Sequence, residues 1–197
     1  ALANNSVAFK GKPEMGTFMR EWTALYESKS GERGIFNRQA AKVKALENGR
    51  RDAEHYFGCN PCSEIILRPY QFCNLTEVVA RATDTHETLK EKVRMATVLG
   101  TFQSTLTDFK YLRKIWKDNT EQERLLGVSL TGILDCPTLN HNYYELEDTL
   151  LDLKQVAIDT NKKIAKELGI PQSTAITCIK PSGTVSQLVD SASGIHA

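Results

Sequence analysis

Asn60-Pro61-Cys62-Ser63-Glu64 places an amide, a thiol and a carboxylate within five residues, and Cys73-Asn74-Leu75 offers a second thiol eleven residues after Cys62. A thiol can give up and regain a hydrogen atom. A carboxylate can take a hydroxyl proton, and an amide can hold hydroxyls without competing for that proton. A second thiol can supply reducing equivalents. The set points to radical redox chemistry on a polyhydroxylated substrate.

Other readings of the cysteines stay open at this point. Cys59-x-x-Cys62 could be half of a zinc site, but no second Cys-x-x-Cys or close histidine pair completes four ligands, and Cys73 would be a third ligand at unusual spacing. His55, His86, His141 and His196 show no metal spacing either, so no metal is assigned. A thioredoxin-like dithiol would start a helix after a strand, whereas Pro61 is followed by the β-prone Ile65-Ile66-Leu67. Any cysteine taken alone is more often a small buried hydrophobe, and Cys136 and Cys178 are read that way.

The bulk properties are those of a packed, water-soluble chain: 41% hydrophobic residues, 25% charged and a formal net charge of +1. That balance gives no nucleic-acid surface. No run approaches the roughly 18 apolar residues of a membrane span, and residues 1–12 lack the regions of a signal peptide. The expected location is cytoplasmic. Five cysteines is an odd number, which suits reduced or catalytic thiols better than a disulfide framework. The glycosylation triplets at Asn4 and Asn74 are then chance matches.

Short β-rich runs alternate with long amphipathic segments, so the fold class expected is α/β with parallel strands. Residues 5–9 read as a strand. Pro13 opens a helix with Phe18, Trp22 and Leu25 on one face, and Ser28-Lys29-Ser30-Gly31 stops it. Asn37 caps a second helix running to about Asn48, and 49–54 forms an exposed loop into the cysteine motif. Strands are expected at 65–67 and 74–79. One helix is expected over 85–109, with Leu89, Val93, Ala96 and Gly100 on one face. Another carries Leu146, Leu150, Leu153, Ala157, Ile164 and Leu168, and Gly169-Ile170-Pro171 ends it. The apolar run 175–179 suits a buried strand.

Directly after that strand comes Pro181-Ser182-Gly183-Thr184, then a further helix. Small residues at a helix start aim unpaired N–H groups at one point. The hydroxyls of Ser182, Thr184 and Ser186 lie nearby and Lys180 adds charge, so the turn could hold a phosphate. An ordinary capped turn is the plainer reading. The Walker lysine and the three glycines of a dinucleotide fingerprint are both missing.

Asn60-Pro61-Cys62-Ser63-Glu64 resembles the Asn-x-Cys-x-Glu active-site motif of the ribonucleotide reductase catalytic subunit, and 65–75 resembles the segment that follows it. Pro181-Ser182-Gly183-Thr184, with Ser191-Ala192-Ser193-Gly194-Ile195 behind it, is similar to the family's substrate-phosphate loop. The prolyl form of the first motif, the short spacing to Cys73 and the glycine form of the phosphate loop look most like the adenosylcobalamin-dependent class II enzymes. The resemblance runs over 4–197. It implies that 1–197 is the central part of one catalytic domain, a portion of the family's ten-stranded α/β barrel incomplete at both ends, with a finger loop at 60–64 and a phosphate loop at 181–186.

The resemblance also implies roles. Cys62 becomes a transient thiyl radical that takes the 3′ hydrogen atom of a ribonucleotide, Glu64 takes the 3′-hydroxyl proton, and Asn60 holds the ribose hydroxyls. Cys73 is half of the reducing dithiol, and Pro181, Ser182, Gly183, Thr184 and Ser186 grip the phosphates. Adenosylcobalamin is the implied cofactor and a thioredoxin-type protein the implied reductant. The chain departs from the family pattern in having no cysteine before Cys59 to partner Cys73, and in the extra thiol of Cys59. Regions that read base and effector, contact cobalamin and re-reduce the disulfide would fall outside these residues. The chain therefore reads as a piece that works with the remaining segments of its enzyme or with a complementary split chain. The competing reading is a noncatalytic α/β phosphate-binding module with structural thiols.

Overall fold

Ser6–Phe9 (β1), Met15–Ser28 (α1) and Gly34–Asn37 (β2) form a strand–helix–strand unit in which β1 and β2 pair in parallel from Ser6↔Gly34 to Phe9↔Asn37. These elements come from a computed structural model that describes residues 6–30, 34–47, 49–140, 143–194 and 196. Asn4, Asn5, Gly31, Asn48, His141, Ile195 and Ala197, which enter the sequence reading, lie outside the described residues. The chain divides into two compact units, Ala1–Pro69 and Tyr70–Ala197.

In the first unit the expected strand and helix form. The Glu14 carboxylate caps α1 by accepting from Gly16 N (3.2 Å) and Thr17 N (3.1 Å), which holds its pKa below the ordinary value. Lys29 closes the helix in the left-handed conformation. The expected apolar face is present, with Phe18 stacked on Trp22 at 5.9 Å, but no residue of α1 is buried among those described and Trp22 is exposed. Asn37 caps the next helix as expected: its Oδ1 accepts from Gln39 N (2.9 Å) and Ala40 N (3.1 Å) at the start of Arg38–Glu47 (α2). Ala41 and Ala45 on α2 pack with Ala53 and Phe57, and Phe36 and Ile66 flank them.

The stretch 49–54 corrects the expectation of a fully exposed loop. Arg51 is buried, donates from Nη1 to Ile66 O at 2.9 Å and lies 4.7 Å over the Phe57 ring. A guanidinium satisfied on its edge can bury its flat face against an aromatic ring. This packing backs the short antiparallel pair Gly58–Cys59 (β3) and Ile66–Leu67 (β4), registered Gly58↔Leu67 and Cys59↔Ile66.

The second unit is built on Asn74–Val79 (β5) and Leu126–Thr131 (β6), parallel from Asn74↔Leu126 to Val79↔Thr131. Between them run His86–Gln103 (α3) and Lys114–Glu123 (α4), and Tyr143–Leu168 (α5) follows β6. Leu89, Val93 and Ala96 of α3, with Leu153 and Ala157 of α5, pack onto Val78, Leu126, Val128 and Leu130. Every residue of β6 is buried; Leu126, Val128 and Leu130 alternate with Gly127, Ser129 and Thr131, a period-two pattern to which the sequence reading assigns no strand.

Thr85 opens α3 through a reciprocal capping box with Thr88. The helix ends at Gln103 rather than continuing to Phe109. The hydroxyls of Thr97, Thr101 and Ser104 each donate at 2.7 Å to a carbonyl three or four residues back. Hydroxyl side chains that bond the preceding turn weaken helix propagation, and Arg124 Nη1 then takes the Ser104 carbonyl at 2.5 Å. The long helix expected over 146–168 forms and ends at Gly169, φ +67°.

The run 175–179 corrects another expectation. It forms one parallel bridge, Val128↔Thr177, flanked by Val128 N to Ile176 O (2.8 Å) and Cys178 N to Val128 O (3.1 Å), and only Ile176 is fully buried. It lines β6 without becoming a regular strand. The described sheets are two-stranded pairs, and the architecture they establish is α/β. No described helix is long and apolar enough to cross a membrane.

Gly132 ends β6 at φ +73°, where a Cβ would stand 2.5 Å from Ala80 O, so the strand end has no room for a side chain. Asn161 on α5 is wholly buried and donates from Nδ2 to Thr101 Oγ1 and Ser173 Oγ, both at 3.0 Å, while its Oδ1 accepts from Ser173 N at 2.9 Å. Replacing it by alanine removes three buried hydrogen bonds, leaves Ser173 N and Ser173 Oγ without these partners and is expected to cost about 2–4 kcal/mol in denaturant unfolding; a loss under about 0.5 kcal/mol would contradict this accounting.

Asp84 gives a pH prediction. Burial pushes its carboxyl pKa up, but the Lys92 ammonium at 2.5 Å, Arg81 N–H and the Thr88 hydroxyl outweigh this, and the net shift is downward. A depressed carboxyl contributes stability that is full above the unfolded pKa near 4 and is lost as pH falls through the lower folded value. Asp84→Asn is expected to flatten that acid limb of a stability-against-pH curve and to leave its alkaline side unchanged in shape.

Candidate functional site

The motif residues Asn60, Cys62 and Glu64 lie on the loop that joins β3 to β4. Ser63 N donates to Asn60 O at 3.0 Å to close a turn with Pro61 and Cys62 at its centre, where proline's fixed φ suits the first central position. Ser63 takes φ +64° and reverses the chain. Asn60 then shuts the loop twice: its N–H donates to Ile65 O (3.2 Å) and its Oδ1 accepts from Ile65 N (3.0 Å). The amide oxygen is thus committed to the turn, and Nδ2 is the group it can offer a substrate.

The Cys62 thiol is exposed at the tip. Glu64 is half-buried, and its Oε2 is shielded from solvent. Cys59 is half-buried at the base of the hairpin, with Sγ 3.3 Å from Ser63 Oγ, so the extra thiol braces the same loop. Beside it opens a cleft of about 300 Å³ lined by Ser6, Ala8, Phe36, Arg38, Cys59 and Asn60 among others. Arg38 is held there by donation from Nε to Phe57 O at 2.8 Å and by stacking 4.0 Å over Tyr56.

The other motif residues belong to the second unit. Cys73 is half-buried immediately before β5, whose first residue Asn74 donates from N (2.9 Å) and Nδ2 (3.1 Å) to Leu125 O. The turn 181–186 follows the run that lines β6, with Lys180 N on Ser129 Oγ at 2.8 Å, and opens the short helix Thr184–Leu188 (α6). Ser182 and Ser186 are buried and bond each other: Ser186 N donates to Ser182 Oγ (3.0 Å) and Ser186 Oγ to Ser182 O (2.7 Å). Thr184 and Gly183 are exposed. The groups facing outward are therefore the Thr184 hydroxyl and the first N–H groups of α6, which have no intrahelical partner.

The five cysteines are free thiols, and Cys136 is wholly buried in the core while Cys178 is half-buried. No group of three or more metal-ligating side chains occurs among the described residues. His55 lies 3.6 Å from Asp52, and His86 pairs with Asp152 at 2.5 Å. Two site-adjacent residues escaped sequence reading: Arg81 and Asp135, at the carboxyl ends of β5 and β6. Ligands of open parallel sheets gather at such ends, but that signal needs β6 to be recognised first.

No protein-family model matches the chain. The adenosylcobalamin-dependent ribonucleoside-triphosphate reductase of Lactobacillus gasseri is 31% identical over 223 residues, covering 98% of this chain and 29% of its own length. The reductase of the same name from Lacticaseibacillus paracasei is 27% identical over 98% of this chain and 29% of its own length. That of Euglena gracilis is 30% identical over 76% of this chain and 20% of its own. A solved B12-dependent (class II) ribonucleotide reductase shares the fold with a TM-score of 0.71 at 23% identity, covering 98% of this chain and 30% of that one.

The class these relatives define is the ribonucleotide reductase catalytic chain, which this chain resembles over nearly its whole length. Within that class the resemblance is to the adenosylcobalamin-dependent, class II reductases, and the chain spans less than a third of their length.

The exposures give a chemical test. Native alkylation with iodoacetamide, followed by peptide mapping, is expected to modify Cys62 first and Cys136 only after unfolding, since access limits thiol reaction. Cys136 reacting as fast as Cys62 would contradict the contrast between a thiol sealed in the core and one at a loop tip.

Proposed function

We propose that this chain carries the radical site of an adenosylcobalamin-dependent ribonucleotide reductase. The observation that supports it most is a single tight hairpin loop presenting Asn60, Cys62 and Glu64, with the Cys62 thiol exposed at its tip. Cys62 is the residue that acts as a thiyl radical and takes the 3′ hydrogen atom of a ribonucleotide. Glu64 takes the 3′-hydroxyl proton as general base, aided by the partial shielding that strengthens its hydrogen bonds. Asn60 donates from Nδ2 to a ribose hydroxyl and holds the ring. The 2′-hydroxyl leaves as water with a proton from the thiol pair. Cys73 and a partner thiol outside these residues give up both hydrogens and two electrons, one hydrogen leaving in that water and the other replacing the hydroxyl at C2′, and end as a disulfide; Glu64 returns its proton to the 3′-oxygen and Cys62 returns the hydrogen atom to C3′.

Adenosylcobalamin supplies, when bound, the radical chemistry that starts this cycle. An exposed thiol at a loop tip suits a hydrogen acceptor arriving from outside the chain, and the residues that would hold the corrin ring are expected outside 1–197. In the same proposal the two units are parts of the family's barrel, the enzyme works in the cytoplasm with its remaining segments or a split chain, and a thioredoxin-type reductant restores the thiols.

One observation favours the noncatalytic alternative: Ser182 and Ser186 satisfy each other, as in an ordinary capped turn. The phosphate grip then falls to Thr184 and the backbone N–H groups of Gly183 and Thr184. Turnover in the assembled enzyme separates the two readings. Cys62→Ser and Cys73→Ser are expected to abolish deoxyribonucleotide formation, Glu64→Gln to lower it about 100-fold or more, and activity to require added adenosylcobalamin. Product formation that survives Cys62→Ser would sink the proposal, and nucleotide binding without turnover in wild type would favour the binding module.

A further inference from the structure

The phosphate loop rests on a helix too short to hold its own direction. Helix α6 covers Thr184–Leu188, barely more than one turn, and a turn that short is not stable by backbone bonds alone. Its orientation is set by what grips the chain just behind it. Arg81, two residues past the end of β5, donates from Nη1 to Asp190 O at 2.6 Å and from Nη2 to Val189 O. Asp135, past the end of β6, accepts from Ala192 N through Oδ2 at 2.6 Å. Gly132 N (2.7 Å) and Thr131 Oγ1 (3.0 Å) both donate to Ala192 O, and Ser191 N donates back to Ser186 O at 3.0 Å.

These bonds fix a segment that would otherwise wander. Asp190 sits in the left-handed region at φ +49°, a conformation that a non-glycine residue keeps only when its surroundings hold it. The guanidinium fork spans two successive carbonyls across that reversal, a task suited to arginine's rigid paired donors. Between the clasp and α6 lies a polar crevice of about 390 Å³ lined by Arg81, Asp135, Ser186, Gln187, Asp190 and Ser191. Arg81 and Asp135 are themselves exposed, so their bonds are not needed to fill the core.

We propose that Arg81 and Asp135 are positioning residues for the substrate-phosphate loop: they clasp 189–192 and so aim the start of α6 at the nucleotide phosphates. This rests on the reading of 181–186 as the phosphate loop. Neither residue touches substrate. Losing either releases the rear of α6 and weakens the phosphate grip, while the chemistry at Cys62 is untouched once substrate is bound.

The test is steady-state kinetics of the assembled reductase. Arg81→Ala and Asp135→Ala are each expected to raise KM for the ribonucleotide about tenfold with kcat within about twofold, the pattern of lost substrate binding. Arg81→Lys is expected to recover part of the loss. Binding of the matching nucleoside, which lacks phosphates, is expected to stay at the wild-type value, and Arg94→Ala on the exposed face of α3 serves as a charge control. An unchanged KM in both alanine variants overturns the clasp, as does nucleoside binding weakened as much as nucleotide binding. Thr184→Val separates the clasp from the reading beneath it. If Thr184→Val raises KM and the clasp variants do not, the clasp alone falls; if Thr184→Val has no effect either, the phosphate loop itself is misassigned and the clasp falls with it.

Discussion

The in-register parallel pairing of β5 with β6 is the constraint on which the second unit depends. Parallel neighbours cannot be joined by a tight turn, so the intervening chain must cross back over the sheet, and α3 and α4 do so. The crossover covers one face with Leu89, Val93 and Ala96, and α5 completes the cover. Because the pairing fixes which residue stands opposite which, it also fixes the functional geography. Cys73 falls at the amino end of the strands, and Arg81, Gly132 and Asp135 fall at the carboxyl end beside the segment that follows α6.

The first unit solves a different problem, which is to present a reactive thiol without letting its loop collapse. Only two residue pairs join β3 to β4, and two strands alone hold poorly in water. Stability comes from behind, where Arg51 and Phe57 pack against the strands, and from within, where Asn60 closes the loop at both its N–H and its side chain. Asn60 thereby serves the fold with Oδ1 and is left with Nδ2 for a ligand, so one amide does two tasks.

The sequence was legible where a local signal had one meaning. Asn37 as a cap, Gly169 as a helix end and the periodic leucines of α5 form the elements expected of them. It misled where tertiary context decided. The apolar stripe of α1 is written as clearly as that of α5, but no described residue of α1 is buried. The 85–109 segment looked continuous because apolar spacing persists, while the hydroxyl ladder from Thr97 to Ser104 that ends it reads as ordinary polar positions. β6 carries an alternation, Leu126, Val128 and Leu130 between Gly127, Ser129 and Thr131, but three apolar positions in six residues are a weak signal until its pairing with β5 is known. The finger motif was legible as chemistry, but not the commitment of Asn60 Oδ1, Ser182 and Ser186 to internal bonds, which only coordinates reveal.

The crowding at Gly132 ties three parts of the second unit to a single atom's worth of space. Any larger residue there must push away the carbonyl of Ala80, and Ala80 is the neighbour of Arg81. Gly132 also donates directly to Ala192. A single methyl group would therefore disturb both strand ends and the clasped segment at once. The absent side chain at Gly132 is thus a shared pivot, through which one added atom is felt by two strand ends and by the loop behind α6.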